Sequence, residues 1–319
     1  MTKQKTNTIL FFIAIAIFTI SCTTAPTTTY SFDWSNPYPG KVILQFPNSR
    51  AYLFPNEESD KLIIIIEGSG WTSMLGVKQN NRWVSVFIGS QILIELRNDY
   101  NILILEKLNR QPGMVYINDM EDRANYTAEN VIAGYLESIN SFLNEHEISS
   151  VVLLGASEGA MLLPLIYEKM NNKDSVTAMV SIAFGGLSMY ESYRILSTTR
   201  TGWSQNAVEM FNDVLTRFNP ENSEFPDCYE EDYFSKTLRW YSSFFHIRPF
   251  DYLKNIDIPI LFIHGRNDTD IPVESTFYIQ ENLPDKPFEF KYFPWGHGTR
   301  SINETIEVRR LIAQWILAL

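Results

Sequence analysis

The chain has 319 residues, 45% hydrophobic and 14% aromatic, enough for one large α/β domain or two smaller ones with a large packed core. Its formal charge is -11, and no basic run or stripe follows the first few residues. This argues against nucleic acid as a partner and favours neutral or cationic ligands.

The N-terminus reads MTKQKTNTILFFIAIAIFTISC. Lys3 and Lys5 precede an apolar stretch over residues 9–20, shorter than the roughly 20 residues a helix needs to cross about 30 Å of hydrocarbon. This pattern predicts a secretory signal peptide over residues 1–21. Ser21 before Cys22 resembles the lipobox of bacterial lipoproteins, although Thr19 stands where that family usually has leucine. The resemblance implies acylation of Cys22 and an exported protein, lipid-anchored to a bacterial membrane on its periplasmic or cell-surface side. The alternative is cleavage near Ala25 without lipidation. Residues 22–40, with TTAPTTT after Cys22, read as a flexible tether. Cys22 and Cys228 are the two cysteines, so an acylated Cys22 leaves no intrachain disulfide. Cys228 has no histidine near it in sequence and reads as a structural or partly exposed thiol.

A domain over residues 41–319 opens with VILQF and RAYLF around Pro47, Asn48 and Ser49, which predicts an antiparallel hairpin. The aliphatic run at 62–66 predicts a strand buried on both faces, ending in the loop Gly68-Ser69-Gly70. A helix is expected over 83–96, a buried strand over 101–106 and a polar loop over 107–125. Thr127 can cap a helix reaching about His146, with Val131, Tyr135, Leu136, Ile139, Phe142 and Leu143 on one face.

Next comes VVLLGASEGA, a strand signal over 151–154, followed by Met161, Leu162, Leu165, Ile166 and Met170 at helical spacing. Ser157 therefore falls on a strand-to-helix turn, flanked by Gly155 and Gly159, which permit the close backbone approach such a turn needs. Pro164 predicts a kink, or a helix that tolerates it in an early turn. A strand over 176–183 ends in Phe184-Gly185-Gly186. Strands alternating with helices imply a parallel sheet covered on both faces. Residues 187–255 break this rhythm. They are rich in aromatic residues, and we read them as an inserted, mainly helical cap lining an apolar acyl pocket. The sheet pattern resumes with a strand at 258–264, a helix at 273–281, a strand at 288–293 and a last helix at 303–317.

A serine hydroxyl needs a base within hydrogen-bond reach and a third group to orient that base. Of the four histidines, His146 ends a helix, His246 lies in the cap and His264 ends a strand, where packing roles suit them. His297 lies in FPWGHGTR, a glycine-flanked loop directly after the last strand, free to reach across the strand ends. For the acid, the loop after 258–264 offers Asp268, Asp270 and Glu274. The segment HGRNDTDIP is similar to the H-G-x-x-D-x-x-V-P signature of α/β-hydrolases, with Asp268 in the acid position and Ile271 replacing valine. Ser157, Asp268 and His297 follow the order serine, acid, histidine.

That resemblance covers residues 41–186 and 256–319. It implies an α/β-hydrolase fold, a mostly parallel central sheet flanked by helices, with Ser157, Asp268 and His297 as the catalytic residues. The oxyanion hole would use the backbone N–H of Glu158 and that of Ser69, with Trp71 as the alternative to Ser69; Glu67 stands where many relatives have histidine. The S-E-G after the strand also resembles bacterial esterases. The Glu158 carboxylate is then either structurally bonded or a grip for a cationic group. The activity implied is a serine hydrolase working through an acyl-enzyme on esters with neutral or apolar acyl groups, without metal or organic cofactor. The rivals are a serine peptidase of the prolyl-oligopeptidase or aminopeptidase type, and a non-catalytic surface lipoprotein built on the same fold.

Overall fold

The computed structural model describes residues 40–69, 73–74, 77–79, 82–84, 96–108, 125–199, 205–218, 232–233, 236–298 and 301–319. The signal peptide, nearly all of the tether, Trp71 and Cys228 lie outside them.

Continuous runs of β-branched and aliphatic residues build the centre of the sheet, since a strand covered on both faces has no polar side to show. The sheet strands are β1 (Val42–Gln45), β2 (Arg50–Phe54), β3 (Lys61–Ile66), β4 (Asn101–Leu105), β5 (Ser150–Ala156), β6 (Val176–Ile182), β7 (Ile260–Gly265) and β8 (Phe288–Phe293). Their spatial order is β1-β2-β4-β3-β5-β6-β7-β8. β2 alone runs against the others, antiparallel to β1 and to β4. The expected hairpin is present, with Val42 opposite Leu53 and Gln45 opposite Arg50. In β3, Leu62 to Ile66 are fully buried, whereas the edge strand β1 leaves Val42 and Ile43 exposed.

The helices α1 (Ala128–Glu145), α2 (Glu158–Lys169), α7 (Glu274–Asn282) and α8 (Ile302–Leu317) alternate with the strands. Thr127 caps α1 by accepting from the Asn130 N–H, and Ser301 and Glu304 form a capping box at α8. α2 runs through Pro164, which is buried and forfeits one helical hydrogen bond.

One expected element differs. Trp83 is not helical: Arg82–Val84 pairs antiparallel with Val77–Gln79 as a separate ribbon, and of the expected helix only Leu96 among the described residues has helical backbone. Trp83 and Val84 are strand formers, and their pairing with Val77–Gln79 prevails over the helix expected to begin there.

Between β6 and β7, residues 187–255 contain α3 (Met189–Thr199), α4 (Gln205–Arg217), α5 (Leu238–Phe244) and α6 (Phe250–Leu253). A two-residue ribbon, Asp232–Tyr233 with Lys236–Thr237, accompanies them, and none of these elements joins the main sheet. Four of the described aromatic residues here form a packed cluster. Phe218, Tyr241, Phe244 and Phe245 are sealed from solvent, with ring centroids 6.2 Å apart for Phe218–Tyr241 and 5.2 Å for Tyr241–Phe245. They fill the core of this segment, which is continuous with that under α1 and α2. No helix among the described residues is long and apolar enough to cross a membrane.

Candidate active site

β5 ends at Ala156 and α2 begins at Glu158, so a single residue makes the turn between them. Ser157 does so at φ 52° and ψ -119°, a conformation costing a non-glycine residue on the order of 1–3 kcal/mol. Its neighbours hold it there. The Ser157 N–H donates to the Ile182 carbonyl at 2.7 Å, and its own carbonyl accepts from Met161 N–H at 3.0 Å. The tight turn leaves no room beside it: a Cβ on Gly159 would overlap the Ile66 carbonyl, and one on Gly155 would lie 2.7 Å from the Ala160 nitrogen. The hydroxyl is thereby pushed out above the sheet ends.

Two neighbouring loops bring the other groups to it. The acid loop after β7 and the histidine loop after β8 are joined by their backbones, with Arg266 N–H donating to Phe293 O at 2.7 Å and Asn267 N–H to Trp295 O at 3.0 Å. His297 Nε2 lies 2.8 Å from Ser157 Oγ, and His297 Nδ1 lies 2.9 Å from Asp268 Oδ2. Asp268 is fully buried, and its Oδ1 accepts from the N–H groups of Asp270 at 2.8 Å and Ile271 at 2.9 Å. A carboxylate beside Nδ1 requires the hydrogen there, which leaves Nε2 to accept from the serine hydroxyl.

Electrostatics agree with this arrangement. Burial alone would raise the Asp268 value, but hydrogen bonds from His264 and His297 outweigh it and hold the carboxyl well below the usual carboxylate range. Burial lowers His297, yet the bond to Asp268 and the charges of Asp268 and Asp270 prevail and raise it above the ordinary imidazole value. Asp270 and Glu274 are exposed, and neither bonds His297.

Of the expected oxyanion donors, the Glu158 N–H opens α2 immediately after Ser157. Ser69 is exposed one residue beyond Gly68, where an added Cβ would come 2.9 Å from Ser157 Cβ. The loop after β3 thus runs against the serine. The Glu158 carboxylate is buried and structurally bonded: Tyr126 Oη donates to Oε1 at 2.8 Å, and Trp240 Nε1 donates to Oε2 at 3.2 Å. It links α5 to the nucleophile helix. Lys236 lies over the Trp240 ring, 4.7 Å from its centroid.

Three features escaped the sequence reading. His264 is fully buried and shares Asp268. Glu67, which follows β3, is pushed up to about 7 by burial against the opposing influence of Lys107 and the Gly68 N–H. Glu106, at the end of β4, is buried and accepts from Tyr52 Oη at 2.7 Å, Lys107 N–H at 2.8 Å and Ser73 Oγ. The available signal was two acids and a lysine at the ends of aliphatic strands, where charge has no reason to be unless it is bonded. His146 stacks on Phe142 with centroids 4.1 Å apart, and His246 packs beside Tyr190. Among the described residues no three His, Cys, Asp or Glu side chains gather as a metal site.

No family model and no curated protein matches the sequence. The structure is similar to Est1E from Butyrivibrio proteoclasticus, with TM-score 0.58 and 16% identity over 88% of this chain and 98% of that one. Est1E is also known with ferulic acid bound. A Pyrococcus horikoshii acylaminoacyl peptidase gives TM-score 0.58 and 16% identity over 86% of this chain, but only 41% of its own length is covered. The Pyrococcus furiosus esterase Pf2001 gives 0.54 and 14% over 87% of this chain and 89% of that one. The likeness at these identities is one of architecture, and the architecture is the α/β-hydrolase fold.

Proposed function

We propose that this protein is a serine hydrolase that cleaves carboxylic esters with neutral or apolar acyl groups through an acyl-enzyme. The observation that carries the reading is the unbroken chain from Ser157 Oγ through His297 to Asp268, at 2.8 and 2.9 Å, on a strained turn that exposes the hydroxyl. In the reaction, His297 Nε2 takes the Ser157 proton as Oγ attacks the ester carbonyl. The backbone N–H groups of Glu158 and Ser69 receive the developing oxyanion. The imidazolium, steadied by the Asp268 carboxylate, then protonates the leaving alkoxide. Water deprotonated by the same nitrogen releases the acid and restores the serine. Est1E, with its bound ferulic acid, supports a small carboxylic ligand for this fold.

A series of acyl esters of graded chain length, assayed beside aminoacyl arylamides, tests the substrate class. Turnover of the esters is expected; a higher kcat/KM on the arylamides would transfer the protein to the peptidases. The lipid anchor is a separate proposal, supported by the short apolar run and the Ser21-Cys22 pair. A fatty-acid analogue fed to expressing cells should label the parent and not Cys22→Ala, and two acyl chains are implied because one alone binds membranes only marginally. Equal labelling of both proteins removes the anchor.

A further inference from the structure

His264 closes β7 with a ring sealed from solvent and both nitrogens engaged. Nε2 lies 3.1 Å from the Ile271 carbonyl oxygen and 3.3 Å from Asp268 Oδ2. Both neighbours are acceptors, so Nε2 carries a hydrogen, bonded to the Ile271 carbonyl with Asp268 Oδ2 as a longer second contact. Nδ1 lies 2.6 Å from Thr276 Oγ1, whose hydroxyl can donate to it, and the neutral ring is then satisfied on both sides. Asp268 Oδ2 therefore meets two imidazole N–H groups, that of His297 at 2.9 Å and that of His264 at 3.3 Å. A carboxylate oxygen that accepts a second hydrogen bond is less basic toward the first donor.

We infer that His264 is a positioning residue for the proposed reaction: by sharing Asp268 Oδ2 it limits how strongly the acid holds the proton on His297. This rests on the Ser157–His297–Asp268 reading above. Removing the His264 donor does not release the acid, because Oδ1 stays fastened by the Asp270 and Ile271 amides. It leaves all of Oδ2 to His297, whose imidazolium is then favoured. Besides Asp268, the charge that bears on His297 is Asp270 on the acid loop, and Tyr193 of α3 feels both Asp270 and Glu158. None of them touches Nε2 of His264.

The sign follows directly. Protonated His297 cannot accept the serine proton, so reactivity falls as pH drops through its value, which lies above the ordinary figure of about 6.5. Two substitutions separate positioning from packing. Asparagine at 264 can replace Nδ1 but not the Nε2 donor, whereas glutamine can carry an amide hydrogen to the Nε2 position. Inactivation of the full chain by a fluorophosphonate, measured against pH, gives the readout. His264→Asn should move the acid limb up by about one pH unit, roughly a tenfold slower reaction well below the limb, and His264→Gln should return it to the parent position. A folded His264→Asn with an unmoved limb overturns the inference. ¹⁵N spectra of the parent histidines decide the matter should the variant not fold, since an Nε2 of His264 without a hydrogen is equally fatal. A parent that does not react at Ser157 refutes the proposed function instead.

Discussion

Ser157→Ala is expected to lower kcat on an activated ester by about 10⁶, the loss seen when a serine nucleophile acting as part of a unit is removed. The residual rate would come from the oxyanion donors and binding, which the substitution leaves in place. Stability should change little. The side chain's bond is the single one to His297, and the strain of the turn lies in the backbone, which alanine shares. Fluorophosphonate labelling should vanish with the hydroxyl, with circular dichroism confirming the fold. Label persisting on the folded alanine variant would place the nucleophile elsewhere.

Asp268→Asn is the second large effect, a fall in kcat of about 10⁴ on the serine-protease precedent. The surroundings leave an amide no good orientation. With its oxygen kept on the Asp270 and Ile271 N–H groups, its NH₂ faces the N–H of His297 and that of His264. His297 can relieve the clash by moving its hydrogen to Nε2, where it no longer accepts from Ser157. With the amide reversed, the NH₂ meets two backbone donors, and a buried unsatisfied donor costs on the order of 1–3 kcal/mol.

The wild-type carboxyl, held below its ordinary range, contributes stability that is present above that range and is lost as pH falls through the depressed folded value. The asparagine variant should lack that acid-side loss. Asp270→Asn is the control. Asp270 is exposed, and α7 carries no side-chain cap, so this carboxylate does not cap that helix. Its rate should stay within a few-fold of the parent and its stability within about 0.5 kcal/mol. Both variants assayed on one ester at one pH make the comparison; a larger loss at Asp270 would move the acid two residues along.

Much of this was readable before any coordinates, for a physical reason. Buried parallel strands must be aliphatic throughout, so 62–66, 101–105 and 151–154 announced themselves, and a serine between glycines after such a run has few conformations open to it. His297 and Asp268 were legible because each follows a strand in chain order. What a side chain touches across the sheet leaves no local mark. His264 looked like a packed strand-end histidine, and its bond to Asp268 depends on how the loop from 266 to 273 folds back. Glu158 offered two readings that only Tyr126 and Trp240 could separate, and they stand in a different loop and a different helix. The aromatic richness of 187–255 signalled burial without direction, and Phe218, Trp240, Tyr241, Phe244 and Phe245 turn inward. Trp83 read as the start of a helix, and the ribbon it joins depends on its pairing with Val77–Gln79.

The backbone bonds between the acid and histidine loops divide the site into two bodies. Arg266 to Phe293 and Asn267 to Trp295 continue the β7–β8 ladder past the strands, with Gly265 packed against the Gly296 carbonyl. Asp268 and His297 thus ride on one frame, while Ser157 rides on β5 and α2, with β6 between. A slight shear between those frames would stretch the 2.8 Å gap from Oγ to Nε2 while the acid–imidazole bond kept its length. The register of neighbouring strands, rather than the stiffness of any loop, is then what keeps the nucleophile in reach of its base.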